Sequence, residues 1–236
     1  MTSHTSTSAA AHDDCSVASA FDRRYGAPTF NQIPSADELV SDCIALMLKH
    51  RSVRRYTQDP LPAGTLEILM AAGQSAATSS NMQTVSVIAV TDPEMKARLA
   101  RTCAGQDFIA NAPLLLCFVT DLARPARIAT TIGADLFALP MIDTFLASIS
   151  DCSIFAQNVV LAAESLGMGT CYVGSLRNRA DLVSKELNVP SGSAVLFGLC
   201  IGYEHPERIT NVRPRFPQKG VRTRAVRNRT LRPNGA

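Results

Sequence analysis

Residues 156–178 read AQNVVLAAESLGMGTCYVGSLRN, and this stretch decides the fold prediction. The stretch contains the last part of a helical pattern over Asp143–Leu166, in which apolar residues lie on nearly every side of the helix. Such a pattern predicts a helix that is buried on most of its faces. Gly167 and Gly169 follow where the C-terminus of a helix is expected, and a short apolar segment, CYVGSL, comes next. The stretch therefore predicts a long core helix that ends at two glycines.

Shorter helices and strands surround this helix in the sequence. Helical spacing or end signals predict helices over Asp37–His50, Gly64–Ala76, Pro93–Cys103 and Arg179–Leu187. β-branched and apolar runs predict buried strands over Val85–Val90, Leu114–Thr120 and Val195–Gly202. Ser35 or Asp37 is expected to cap the first of these helices. Because the elements do not alternate regularly, the predicted class is α+β, with helices packed around a central sheet. No G-x-G-x-x-G follows a strand, so a Rossmann dinucleotide site is not expected.

Composition restricts the kind of protein further. Apolar residues make up 46% and charged residues 18% of the 236 residues, which excludes general disorder. Seven cysteines and four histidines lie far apart, so we expect neither a disulfide framework nor a metal centre. The cysteines are predicted to be buried thiols in a reducing cytoplasm. Polar residues interrupt the most apolar stretch, Phe145–Leu166, and no membrane span is expected.

Three segments are expected along the chain: a flexible leader over residues 1–34, one domain over 35–217 and a basic tail over 218–236. From Arg213 onward there are eight basic residues and no acidic one, whereas the rest of the chain is net acidic. A basic tail could bind nucleic acid or an acidic membrane surface. A solvated terminus is the favoured interpretation, so neither partner is expected.

Two arginine clusters suggest an anion site. His50 to Tyr56 reads HRSVRRY, and guanidinium groups bind phosphate bidentately, although these residues could instead only complement a helix C-terminus. Arg213 and Arg215 flank a proline, which favours an extended segment whose two side chains project to one side. Together with Arg54 they suggest one phosphate held by arginines from both ends of the chain. The alternative for the second cluster is a solvated tail.

Two further segments suit a flat, polar-rimmed ligand. Residues 172–177 contain Gly174, at which the backbone could approach a ligand closely. Residues 78–83 read TSSNMQ and offer hydroxyl and amide groups for the rim of a ligand.

Six motifs then occur in the order found in a known family. They are HRSVRRY (50–56), SSNMQ (79–83), Gly105-Gln106, residues 156–178, LFGLCIG (196–202) and RPRFP (213–217). Over roughly residues 38–217 the chain resembles the flavin-dependent nitroreductases, in particular their NADPH-linked branch. The resemblance implies a central, mostly antiparallel sheet surrounded by helices. It also implies a homodimer whose interface includes the long helix.

The resemblance implies an FMN site, residue by residue. The residues expected at the phosphate and ribityl chain are His50, Arg51, Ser52, Arg54, Arg213 and Arg215. Those expected at the flavin ring are Thr78, Gln106, Tyr172, Val173, Gly174 and Ser175. Arg213 stands where lysine is more usual, and Thr78 where serine is. No catalytic side chain and no metal is expected, because the flavin carries the chemistry.

The implied function is that of an FMN-dependent NAD(P)H oxidoreductase, which transfers hydride by a ping-pong route to nitroaromatics, quinones or free flavin. One alternative is a shortened FMN-binding protein that acts as a store or sensor with little turnover. The dehalogenase and flavin-fragmenting branches of the same fold are a second alternative, disfavoured by LFGLCIG and RPRFP. The third alternative is a nucleic-acid-binding protein that uses the basic tail, but the tail matches no known nucleic-acid-binding module.

Weak discrimination between NADPH and NADH is also expected. The chain ends 21 residues after Arg215, in a tail that does not resemble the basic arm by which this branch holds the 2′-phosphate of NADPH. A mobile tail would lose conformational entropy on binding the nucleotide. We predict kcat/KM values within about tenfold of each other, measured with one quinone acceptor. A preference for NADPH of about a hundredfold, lost when the chain is cut after Pro217, would contradict this prediction.

Overall fold

The structure is a computed structural model that describes residues 16–26, 28–33 and 35–221. The chain divides into two compact units. One consists of residues up to Lys49 together with those from Val212 onward, and the other is His50–Asn211. Of the expected site residues, Arg213 and Arg215 belong to the first unit and the others to the second.

The centre of His50–Asn211 is a four-stranded antiparallel sheet. Its strands are β1 (Val85–Val90), β2 (Leu114–Asp121), β3 (Gly169–Val173) and β4 (Ser193–Gly202), in the order β1-β2-β4-β3. A bulge between Phe118 and Val119 shifts the register of β2 against β4. The α+β class and the antiparallel sheet are therefore confirmed.

Helices cover both faces of this sheet. They are, in chain order, α4 (Thr65–Gln74), α5 (Pro93–Thr102), α6 (Asp107–Asn111), α7 (Ala123–Ile132), α8 (Ile142–Ser165) and α9 (Ala180–Glu186). All of β2 is buried, and its side chains alternate between two apolar clusters. Leu115 and Cys117 pack with residues of α5, α6 and α9, whereas Leu116 and Phe118 pack with residues of α4 and α8. The sheet is thus the middle layer of this unit.

The helix ends follow local signals in the sequence. The Asp92 carboxylate accepts a hydrogen bond of 2.7 Å from the Met95 amide, and Pro93 occupies the first turn of α5. Gly167 has a φ of +78°, a left-handed conformation that glycine adopts without strain, and it ends α8 as predicted. The same prediction is wrong for Gly169, which is the first residue of β3.

The long helix α8 is confirmed almost residue for residue. By length and composition alone it could also cross a membrane. However, Cys152, Ala156, Val159 and Val160 are fully buried against α4 and the sheet. We therefore interpret α8 as a core helix of this unit.

Gly73 permits the close packing of α4 against α8. A Cβ atom at this position would overlap the Phe155 ring. We predict that Gly73→Ala destabilises the protein by about 1–3 kcal/mol because the ring must move within a packed core. Thermal and urea unfolding measure the change. The control is Gly220→Ala, because the position of Gly220 is open. Gly105→Ala is not a suitable control, because the φ of Gly105 is positive.

The first unit has its own small core. Its helices are α1 (Val17–Tyr25), α2 (Ala36–Leu39), α3 (Asp42–Lys49) and α10 (Gln218–Val221), with a 3-10 turn at Phe30–Gln32. Ala20, Phe21, Ala36 and Leu48 form its buried cluster. The expectation of a flexible leader is wrong for α1, because the Ser16 hydroxyl caps this helix and Phe21 is buried. Residues 1–15 of the leader and 222–236 of the tail lie outside the described residues.

The single helix expected over Asp37–His50 is also wrong. Val40 has an extended conformation, with φ −90° and ψ 100°, so α2 ends there and α3 starts again at Asp42. Ser35 makes no side-chain cap, whereas the Ser41 hydroxyl accepts a long bond of 3.5 Å from the Ile44 amide. The expected boundaries of the domain, 35–217, stay a prediction.

The cysteine prediction is confirmed for five thiols and wrong for one. Cys103, Cys117, Cys152, Cys171 and Cys200 are buried free thiols. Burial raises the pKa of both Cys117 and Cys152 to about 12, so they are uncharged at neutral pH. Cys43 is exposed, and Cys15 lies outside the described residues.

Candidate functional site

The H-R-S-x-R segment is fixed along the edge strand β3. Ser52 forms a parallel bridge with Thr170, and the Val53 amide donates a 2.8 Å hydrogen bond to the Thr170 carbonyl. Tyr56 forms a second, antiparallel bridge with Glu204, just beyond β4. The segment is therefore paired with neighbouring backbone both before and after Arg54. The Arg54 side chain is exposed between these two bridges.

His50 is held by a carboxylate from the last turn of α8. Its Nδ1 lies 2.6 Å from an oxygen of Glu164, and the Thr170 hydroxyl donates to the same oxygen at 2.8 Å. The Glu164 side chain is only 10% exposed. The buried Glu164 carboxylate thus orients the imidazole. In the sequence, Glu164 is visible only as a polar residue within an apolar helix.

Arg51 forms an ion pair with Glu204. Its Nε and Nη2 lie 3.0 and 2.5 Å from one oxygen of this carboxylate, and the other oxygen accepts a 2.7 Å bond from the Thr210 amide. The expected contact between Arg51 and a phosphate would therefore have to use the remaining N–H groups, which are the second one of Nη2 and the two of Nη1. Glu204 is a site residue that the sequence analysis missed, because its partner lies 153 positions away.

Arg54 has an exposed guanidinium. Its Nη1 makes only a long bond of 3.4 Å to the Ser52 carbonyl, and its charged carbon lies 5.9 Å from the centre of the Phe108 ring. It also lines a cavity of about 610 Å³ together with Arg55 and Arg208. Two carboxylates line the same cavity, so an anionic group can bind there only beside the three guanidinium groups.

The C-terminal end of β3 carries the other expected segment. Val173 is buried and Gly174 is exposed, and a Cβ atom on Gly174 would lie 3.2 Å from an Arg177 nitrogen. The Tyr172 ring packs edge-on against Phe197, with ring centres 5.1 Å apart. Desolvation raises the pKa of the Tyr172 hydroxyl, so it stays protonated.

Gln106 and Ser175 are brought together by the fold, although 69 positions separate them. The Gln106 amide nitrogen donates to the Ser175 hydroxyl at 2.7 Å and to the Cys103 carbonyl at 3.0 Å. Both side chains are half-buried beside Gly174. The two residues expected at the flavin ring, Gln106 and Ser175, therefore form one hydrogen-bonded polar pair.

Thr78 lies at the start of a 3-10 turn, Ser79–Asn81. Its hydroxyl donates to Asp151 of α8 at 2.5 Å and accepts from the Gln83 amide at 3.0 Å. Asp151 is a third residue, after Glu164 and Glu204, that the sequence analysis did not select.

Arg213 and Arg215 lie in an exposed segment of the first unit that has no regular secondary structure. The Arg215 side chain turns back to the Arg213 carbonyl at 3.0 Å, and its amide donates to the Arg24 carbonyl at 2.8 Å. The expectation that both guanidinium groups project to one side stays a prediction. That they join Arg54 at one phosphate also stays a prediction.

Comparison with known proteins places the chain in a family. A model of the nitroreductase family matches residues 47–203. The NADPH-flavin oxidoreductase of Vibrio harveyi is 39% identical over 178 residues, which cover 75% of this chain and 71% of that protein. The FMN reductase (NADPH) of Bacillus subtilis is 35% identical over 183 residues, covering 77% of this chain and 73% of that protein.

Solved structures agree with the sequence relatives. The NfrA1 structure from Bacillus megaterium superposes with a TM-score of 0.76 at 38% identity, covering 79% of this chain and 75% of that chain. The NADPH:FMN oxidoreductase of V. harveyi complexed with NAD+ has a TM-score of 0.71 at 36% identity, covering 78% and 77%. Sequence, fold and motif order thus agree, and the chain belongs to the nitroreductase family.

Proposed function

We propose that this protein is an FMN-dependent NAD(P)H oxidoreductase that reduces nitroaromatics, quinones or free flavin. The observation that carries the proposal is that one edge strand joins both flavin motifs. The H-R-S-x-R segment pairs with Thr170 at the start of β3, and the Y-x-G-S segment begins at Tyr172 on the same strand. Relatives named as FMN or flavin reductases with NADPH support the same assignment.

The donor set fits a flavin mononucleotide. The exposed Arg54 guanidinium and the Ser52 hydroxyl suit a terminal phosphate, whereas the phosphate contacts expected of Arg213 and Arg215 stay a prediction. Gly174 leaves space for a flat ring, and the Gln106–Ser175 pair offers a polar edge. Bound FMN supplies hydride chemistry that no side chain of the protein can supply.

The protein's own residues have positioning roles. Arg54 balances the phosphate charge, while Glu164 and Glu204 fix the imidazole and the second arginine beside it. The Gln106 amide orients the Ser175 hydroxyl. We assign no general acid or base, because hydride transfer needs alignment of donor and acceptor more than it needs a protein nucleophile.

We also propose a homodimer in the cytoplasm. Phe145, Leu146 and Ile154 leave 39–54% of their surface exposed on α8, although this helix is otherwise core. Such apolar residues in solvent favour an interface with a second copy. The six described cysteines are free thiols, which suits a reducing compartment.

Flavin binding and turnover test the proposal together. FMN added to the apoprotein should bind stoichiometrically with quenching of its fluorescence, and NADPH or NADH should then be oxidised continuously when a quinone is present. Binding of FMN without turnover by either nucleotide would contradict the enzymatic function. Failure to bind FMN would contradict the whole proposal.

A further inference from the structure

The turn at residues 78–83 has an unusual backbone. Ser80, Asn81 and Gln83 have φ values of 50°, 54° and 50°, in the left-handed region that residues with a Cβ atom avoid. Three such residues within four positions persist only where their surroundings fix them. Clusters of this kind occur at ligand-binding loops, and the side chains of residues 79–83 are exposed.

A buried carboxylate holds the start of this turn. Asp151, in the middle of α8, is 4% exposed. One of its oxygens accepts a 2.8 Å hydrogen bond from the Ser79 amide. The other accepts from the Thr78 hydroxyl at 2.5 Å and from the Thr84 hydroxyl at 3.5 Å. Asp151 therefore connects both ends of the turn to the core helix.

A second group holds the end of the turn. The Arg124 guanidinium donates to the Gln83 carbonyl at 3.1 Å and to the Val85 carbonyl at 2.7 Å. The Gln83 amide in turn donates to the Thr78 hydroxyl at 3.0 Å. Because that hydroxyl gives its proton to Asp151, it can face a ligand only as an acceptor. Asp151 thus determines both the shape of the turn and the hydrogen-bonding role of Thr78.

We propose that Asp151 is a positioning residue that preorganises the 78–83 turn to bind the polar edge of the flavin ring. The proposal rests on the proposed function, since it needs a flavin beside Thr78. A flavin ring carries carbonyl acceptors and an N–H donor along one edge, and the fixed hydroxyl and backbone groups of the turn match such an edge. A turn that is already ordered loses little entropy on binding, which increases affinity.

Binding of FMN and riboflavin to apoprotein variants tests this role. Riboflavin has the ring but not the phosphate. In Asp151→Asn, one carboxylate oxygen becomes an NH2 group that cannot accept the Ser79 or Thr78 hydrogen bond. We expect the Kd values of both flavins to rise by about the same factor, on the order of tenfold, and the absorption spectrum of the bound flavin to shift. Ser148→Ala, at a buried hydroxyl one turn earlier in α8, should change neither Kd.

Each outcome of this experiment has a defined meaning. Unchanged Kd values in Asp151→Asn, or an increase for FMN alone, would overturn the positioning role while leaving the proposed function intact. Wild-type protein that binds neither flavin would contradict the proposed function itself. If Asp151→Asn does not fold, Asp151→Glu keeps the charge but displaces the oxygens by one methylene, and the same equal loss for both flavins is expected.

Discussion

Leu146→Asp is expected to convert the protein from a dimer to a monomer and to raise the Kd for FMN at least about a hundredfold. Leu146 is 54% exposed on α8, so the substitution should not disturb the core of its own subunit. In the proposed dimer, however, two buried carboxylates would face an apolar surface and oppose association. FMN binding should be lost with the dimer if the partner subunit contributes to each site.

Sedimentation and flavin titration of the same samples measure both effects. Leu182→Asp is the matched control, because Leu182 is 42% exposed on α9 and lies outside the proposed interface. A Leu146→Asp protein that stays dimeric would contradict the assignment of α8 to the interface. A monomer that binds FMN as tightly as wild type would show that each site is complete within one chain.

Arg54→Ala is expected to weaken FMN binding by about 10- to 150-fold while leaving riboflavin binding nearly unchanged. The guanidinium is exposed, bonded only weakly to the Ser52 carbonyl, and free to make charge-assisted bonds to a phosphate. The ratio of the two Kd values therefore isolates the phosphate contribution. Arg215→Ala should show the same selective loss if Arg215 completes the phosphate site.

Arg101→Ala is a matched control for charge, since Arg101 is exposed on α5 and belongs to neither motif. Arg227→Ala in the distal tail should also change little. Equal FMN affinity in wild type and Arg54→Ala would reject the phosphate role, whereas equal loss for FMN and riboflavin would move Arg54 to the ring. These two outcomes must be distinguished, because Arg54 lies over the Phe108 ring and its guanidinium could contact either the phosphate or the flavin ring.

Local patterns predict some elements of this fold closely. β1 is found at the predicted residues, and α8 differs by one residue at each end, because a β-branched apolar run and a long apolar helical pattern are both visible among neighbouring residues. The helices α1, α6 and α7 and the strand β3 are not among the predicted elements. The break at Val40 is different. The apolar spacing continues across it, and only the backbone conformation of that residue separates α2 from α3.

Tertiary pairs could be predicted much less well. The motifs select Arg51 and Thr78, but the carboxylates that hold them, Glu204 and Asp151, lie 153 and 73 positions away. Their signal in the sequence is slight: Asp151 is an acidic residue within an apolar helix, and Glu204 is an acidic residue just after a buried strand. In a buried environment each must find a donor, so such residues are good candidates for supporting a site.

Anaerobic addition of NADPH, and separately of NADH, to the FMN-loaded protein tests the central claim most directly. We predict that the flavin absorbance near its visible maximum bleaches with at least one nucleotide and returns when a quinone is added. This cycle requires both flavin binding and access of donor and acceptor to the same site. A bound flavin that stays oxidised with both nucleotides would contradict the proposed oxidoreductase function.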